Sequence, residues 1–293
     1  MFDGCGGALL HRVMRIERIA GAPISWGVCD VPGWGVRLGA GRVAAELASL
    51  GLRAVEFGPP GYLGAALLER HGLRPVGGYV PLVLHDAAAD PLPEAVRVAE
   101  EFLAAGAPFL VVGAEPGAGG RRISGGEWSV LLDNLDRIAA AMEEIGAMAC
   151  LHPHAGTVVE RREEIWRVLA ETLIPLCLDT GHAHIGGADP VELARDVPER
   201  IVHVHLKDVA AGPLRRMRAG EIGYEQAVAE GLYPPLGRGE VDLAGVVAAL
   251  EEAGYTGWYV LEQDVRLPAE PPPGAGPVAD ARAGLEYVRA LPG

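Results

Sequence analysis

The chain has 293 residues, 49% of them hydrophobic and 22% charged, with a formal net charge of −14 and a pI near 5.1. That length suits one large α/β domain, and the acidic balance excludes a nucleic-acid partner or an anionic membrane surface, both of which call for a basic face. Four cysteines (Cys5, Cys29, Cys150 and Cys177) stand far apart with no C-x-x-C pair, so neither a zinc knuckle nor a disulfide framework is indicated, and no apolar run approaches the ~20 residues of a membrane span.

Residues 1–17 are glycine-rich and show neither a convincing apolar region nor a small-residue cleavage site. They read as a flexible tail rather than a signal peptide, with Met14 as an alternative start and a cytoplasmic location expected. Apolar runs suited to buried strands then alternate with helical segments. Strands are expected at 19–25, 53–57, 75–82, 109–112, 148–154, 174–179, 201–207 and 258–262. Helices are expected at 41–50, 63–71, 91–105, 163–172, 190–197, 243–253 and 278–291, with a long one ending at 145 after the glycine-rich loop 113–126. An insertion at 209–238 breaks the rhythm after the seventh strand.

Eight strand–helix units at roughly 30-residue spacing match the βαβ repeat and predict a single (β/α)8 TIM barrel over 18–293. An open doubly wound sheet would want a glycine-rich phosphate turn directly after the first strand. That turn is missing; the glycines at 113–120 follow the fourth strand and do not fit G-x-G-x-x-G.

The seventh strand carries the most chemistry. Its alternation puts His203, His205 and Lys207 on one face and Val202, Val204 and Leu206 on the other. Lys207 is the only lysine, every other basic side chain apart from histidine being arginine. Arginine cannot deprotonate in a protein whereas a buried lysine shifts its pKa readily, so the exception points to proton transfer. In this barrel the C-terminal strand ends converge on one site. Strand five ends in His152-Pro153-His154, strand six in Asp179-Thr180-Gly181-His182 and strand eight in Glu262-Gln263-Asp264. A histidine or carboxylate from each of four successive strands suits one divalent ion, and the mixed N/O set suits Mn²⁺, Co²⁺, Fe²⁺ or Zn²⁺ better than Mg²⁺ or Ca²⁺.

These pieces resemble the sugar isomerase/epimerase-like barrels related to xylose isomerase, and within them the inosose dehydratase branch. The resemblance is carried by Ala22-Pro23-Ile24-Ser25-Trp26, His152-Pro153-His154-Ala155-Gly156-Thr157, Leu178-Asp179-Thr180-Gly181-His182 and His203-Val204-His205-Leu206-Lys207-Asp208-Val209. Gly237-Arg238-Gly239-Glu240-Val241-Asp242 and Glu262-Gln263-Asp264 continue it, so that it spans 20–264.

The resemblance implies that Asp179, His205 and Glu262 hold the metal. Epimerases of this superfamily usually carry a Glu where this chain has His152, so a second carboxylate base is gone and His152 is expected to complete the metal shell. The expected reaction is loss of water from a cyclic polyol ketone by α-proton abstraction and β-elimination; the alternative is isomerisation or epimerisation through an enediolate. Lys207 and His154 are the candidates for acid and base, unassigned between them, with Glu262 beside them. Desolvation is expected to depress the Lys207 pKa towards the working range. Trp26, Trp34, Glu56 and His182 are candidate substrate contacts, and 209–238 a candidate lid. The expected partner is a small polyol or sugar, with a homo-oligomer left open.

Overall fold

Eight parallel strands pair in chain order and close on themselves in the computed structural model, which describes residues 16–291. The strands are β1 (Ile19–Gly21), β2 (Ala54–Phe57), β3 (Arg74–Leu82), β4 (Phe109–Ala114), β5 (Met148–Leu151), β6 (Leu176–Asp179), β7 (Ile201–Leu206) and β8 (Trp258–Leu261). Outside them lie α1 (Ala40–Ser49), α2 (Ala65–Arg70), α3 (Leu92–Ala104), α4 (Gly125–Ile145) and α5 (Arg162–Glu171). The second half adds α6 (Thr180–Ile185), α7 (Pro190–Asp196), α8 (Ala211–Arg218), α9 (Tyr224–Ala229), α10 (Leu243–Glu252) and α11 (Pro277–Ala290). The expected (β/α)8 barrel is present. Of the expected tail, 1–15 lies outside the described residues, while residues 16 and 17 belong to a 3-10 turn, Ile16–Arg18, rather than to loose chain. No helix among the described residues is long and apolar enough to cross a membrane.

Two strands end well short of their apolar runs. The first ends at Gly21 instead of residue 25, because Pro23 has no N–H for the ladder and starts a 3-10 turn, Pro23–Trp26. The fifth ends at Leu151, although His152 still donates its backbone N–H to the Val112 carbonyl at 2.8 Å. Helix starts follow local chemistry. Ser124 and Glu127 form a reciprocal capping box at α4, and Asp179 caps α6 by accepting the His182 N–H at 2.7 Å.

A continuous apolar layer of buried Leu, Val and Ile fills the space between strands and helices. The barrel axis is different: small residues line much of it, Ala20, Ala22, Ala54, Val76 and Val260 on one side and Val111, Cys150 and Cys177 on the other. The insertion after β7 carries α8 and α9. Its ends are tied together, since Ala210 N–H donates to the Leu232 carbonyl at 2.8 Å. Asp208 then gathers the returning chain, accepting N–H bonds from Gly237, Gly239 and Val241 at 2.9, 2.7 and 3.1 Å.

Candidate active site and metal-capable centre

Parallel register brings the polar strand ends together. Asp179 on β6 pairs with His205 on β7, and Cys177 with His203 one layer below. Capping α6 uses Oδ1 of Asp179 and leaves Oδ2 facing the axis, 3.4 Å from Nε2 of His152 and 3.7 Å from Nδ1 of His205. Glu262 follows β8, where Ser25 accepts the next backbone N–H, that of Gln263, at 2.9 Å. Its Oε2 lies 2.8 Å from His205 Nδ1.

These four residues fit a metal ion. His152, Asp179, His205 and Glu262 each offer one ligand atom, and those atoms lie within 4.8 Å of one another. His205 Nδ1 and Glu262 Oε2 are buried and close, yet neither has an aligned hydrogen bond. Two ligand-capable atoms set side by side without an aligned hydrogen bond are what a bound cation would use, once it displaces the imidazole proton. The same field acts on the imidazole: burial opposes a charge on His205, but Cys177, Glu262 and Glu56 outweigh it and raise its pKa well above the ordinary value.

Lys207 reaches the centre from below α6. Thr180 Oγ1 holds its backbone on both sides, accepting the Lys207 N–H at 2.9 Å and donating to its carbonyl at 2.7 Å. Gly181 makes room for the stem; a Cβ there would stand 2.7 Å from Lys207 Cγ. The glycine of Asp-Thr-Gly-His is therefore required by close packing. The ammonium lies 3.2 Å from Asp179 Oδ2, 3.2 Å from Glu262 Oε2 and 2.9 Å from Asp264 Oδ1, and donates to His182 Nε2 at 3.0 Å. Burial alone would lower its pKa, but Asp179, Asp264 and Glu262 reverse that and hold it well above the usual lysine value. The expected depression is therefore corrected: three carboxylates outweigh desolvation.

The two histidines beside it go the other way. Burial, with His152 and Lys207 nearby, pushes His154 down to about 3. Burial, His154 and Lys207 hold His182 well below its usual value. Both rings are neutral and lie against each other with centroids 3.8 Å apart and planes tilted by 39°.

Among the other sequence candidates, Glu56 sits behind the centre. Its Oε1 accepts from Nε2 of His203 at 2.7 Å and Nε2 of His205 at 3.1 Å. Burial opposes its charge, but His205 and His203 keep the carboxyl far below the ordinary range. Trp26 and Trp34 are not brought to the centre. The Trp26 indole is buried and donates to Glu46 on α1 at 2.7 Å. Trp34 donates to the Val265 carbonyl at 2.9 Å and has the Arg266 guanidinium over its ring. Expecting these two to carry a polyol ring is corrected on that ground, since neighbours already hold both indoles.

Three tyrosines complete the site that the sequence did not single out. Tyr224 of α9 donates to Asp264 Oδ2 at 3.0 Å, and its hydroxyl lies 3.1 Å from that of Tyr233. The Tyr233 ring lies under Lys207, 5.0 Å from Nζ. The insertion thus lies over the site, tied down where Gln263 Nε2 donates to the Tyr233 carbonyl at 3.0 Å. Tyr79 on β3 keeps 36% exposure while its ring stands 5.6 Å from that of His152, so it faces the open mouth of the site. Its hydroxyl donates to Glu115 at 2.9 Å over Gly113, which leaves no space for a Cβ.

A family model for xylose isomerase-like TIM barrels matches residues 44–291. The chain belongs to this family. An inosose dehydratase of Geobacillus kaustophilus is 33% identical, covering 96% of this chain and 97% of that protein. The rhizopine catabolism protein MocC of Rhizobium meliloti is 32% identical over 92% of this chain and 87% of its own length. Among solved structures, the IolI protein with a bound zinc atom has a TM-score of 0.69 at 16% identity, covering 94% and 99% of the two chains. An L-ribulose 3-epimerase has a TM-score of 0.66 at 17% identity, covering 93% of each.

Proposed function

We propose that the chain is a metal-dependent carbon–oxygen lyase that removes water from a cyclic polyol ketone of the inosose (2-keto-myo-inositol) type. The carrying observation is the pairing of a charged acid with a neutral base-capable ring at one centre. Lys207 is held as ammonium by three carboxylates, and His154 is kept neutral. Similarity to inosose dehydratases over nearly the whole chain supports the substrate class.

His152, Asp179, His205 and Glu262 would hold one divalent ion, Mn²⁺ or Co²⁺ in preference to Zn²⁺ or Fe²⁺. When bound, it supplies Lewis acidity at the ketone and makes the neighbouring α-proton more acidic. Lys207 gives its proton to the departing β-hydroxyl, which leaves as water. His154 takes the α-proton, while the C–H and C–O bonds break and a C=C bond forms. The two transfers assist each other: the Lys207 charge is one of the groups that suppress His154 basicity, so donation by Lys207 strengthens the base. Asp264 balances the lysine charge, and Tyr224 and Tyr233 shield it from water.

The test is product analysis by NMR with an inosose and a divalent metal in deuterated buffer. Loss of water, with one deuteron taken up as the product enol ketonises, supports the lyase. An isomerised or epimerised sugar with no dehydrated product overturns it in favour of enediolate isomerase chemistry.

A further inference from the structure

The layer beneath the candidate centre has no part in the reaction just described. Alternate residues of a strand face the same way, so Cys177 lies one step below Asp179 on β6 and Cys150 one step below His152 on β5. Both cysteines are buried in the small-residue part of the axis and carry free thiols.

Three side chains converge across the two layers. A ring nitrogen of His152, Sγ of Cys177 and a ring nitrogen of His205 lie within 4.8 Å of one another. The residues are 2%, 0% and 1% exposed, and Nδ1 of both histidines lacks a hydrogen-bond partner. Glu56 already takes the Nε2–H of His205, so the available nitrogen there is Nδ1, the atom that also faces Asp179 and Glu262.

We propose that the barrel contains a second, lower metal position on His152, Cys177 and His205, which takes a thiophilic divalent ion and excludes an ion from the upper position. It rests on reading His152, Asp179, His205 and Glu262 as an ion-holding centre, because the two positions share both imidazoles. Thiolate plus imidazole is a soft-to-borderline donor set of the kind that Cd²⁺ and Zn²⁺ accept, whereas Mn²⁺ favours the carboxylates above. On binding, the Cys177 S–H bond breaks, a sulfur–metal bond forms and the proton leaves to solvent, with no change of oxidation state. A soft ion drawn down to Cys177 moves away from Glu262 and from the mouth of the site. Thiophilic ions are thus inhibitors of the Mn²⁺ form, and the discrimination is built into the barrel wall.

The experiment titrates the full chain, stripped of metal, with CdCl2, reading thiolate-to-metal charge-transfer absorption in the ultraviolet. Wild type, Cys177→Ser and Cys150→Ser are compared, with and without prior loading with Mn²⁺. The expected result is a saturable band in wild type and Cys150→Ser, lost in Cys177→Ser and suppressed by Mn²⁺. Cys177→Ser should bind Mn²⁺ as wild type does. Wild type that fills with Cd²⁺ without the band, or a band that survives Cys177→Ser or grows undisturbed beside bound Mn²⁺, overturns the proposal. Should Cys177→Ser not fold, the competition in wild type still decides. Failure of the upper centre reads differently: Mn²⁺ then does not bind to wild type, or binds equally to Asp179→Asn.

Discussion

The Glu56 carboxylate and the His205 imidazole are locked edge to edge, Oε1 to Nε2 at 3.1 Å, with Asp179 and Glu262 beyond the other nitrogen. A carboxylate in this place fixes the ring and makes its far nitrogen a better donor, an arrangement common behind metal-binding histidines. His203 holds the same oxygen at 2.7 Å and packs at a tilt against Phe109, so Glu56 is itself fixed.

Glu56→Gln should therefore weaken Mn²⁺ binding about 10- to 100-fold while the circular dichroism spectrum stays that of wild type. Calorimetric titration with Mn²⁺ checks this. Unchanged affinity would make Glu56 an ordinary buried ion-pair residue.

Asp179 has two separable duties, one per oxygen. Asparagine keeps the cap on α6 and loses the charge; alanine loses both. Asp179→Asn should lose Mn²⁺ binding and turnover with the fold intact. Asp179→Ala should in addition be less stable by about 1 kcal/mol, the usual worth of a cap. Urea denaturation of the two variants side by side provides the measurement. Unfolding of the asparagine variant would show Asp179 to be chiefly structural.

For Lys207, the expected cost of Lys207→Arg is about 10²–10⁴-fold in turnover, with metal content retained, since arginine cannot pass the proton near neutrality. Because the carboxylates raise the lysine pKa, wild-type activity should show no fall from lysine deprotonation below about pH 10. An active arginine variant, or a wild-type alkaline limb near pH 8 that vanishes in it, would contradict the assignment of Lys207 as a charged donor.

Acid should destabilise the metal-stripped protein earlier than its carboxylates alone require. His154 and His182 both have folded pKa values below the unfolded value of about 6.5. Above that pH they are neutral in both states and contribute no pH dependence. Below it the unfolded chain takes up protons that the folded chain refuses, so stability falls, and for His154 it goes on falling towards pH 3. The slope is at most about 1.4 kcal/mol per pH unit for each histidine, and less for His154, whose edge meets solvent. Urea unfolding at pH 7, 6 and 5 should give a shallower decline for His154→Gln than for wild type. Equal slopes would mean that His154 is protonated in the folded protein.

The barrel was legible from strand periodicity, and the choice of His152, Asp179, His205 and Glu262 among the polar strand ends came with the resemblance to xylose isomerase-like barrels. An apolar run marks a buried strand, and a polar residue at its C-terminal end has only one place to point. Lys207 was legible through composition, but its charge state was not, since that depends on Asp179, Glu262 and Asp264 arriving from other strands. Tyr224 and Tyr233 lie in an insertion with no period to phase them, so nothing in their neighbours says that they face Asp264 and Lys207. Trp26 and Trp34 misled for the opposite reason: an aromatic near a strand end carries the same signal whether it faces a ligand or a helix. Glu46 and Val265 decide that, and neither is close in sequence to its partner.

The hydrogen bond from Ala210 to Leu232 has a bearing on how this chain can change. The segment between them leaves the barrel and returns to the point of departure, so to the barrel it is a closed excursion. Closure cost rises slowly with length, by about 0.6 kcal/mol for each doubling, so that segment can lengthen cheaply wherever Tyr224 keeps its bond to Asp264. Asp208, two residues earlier, keeps Gly237, Gly239 and Val241 in place where the chain returns. Away from Tyr224, the excursion can drift by insertion and deletion while the metal-capable residues stay put.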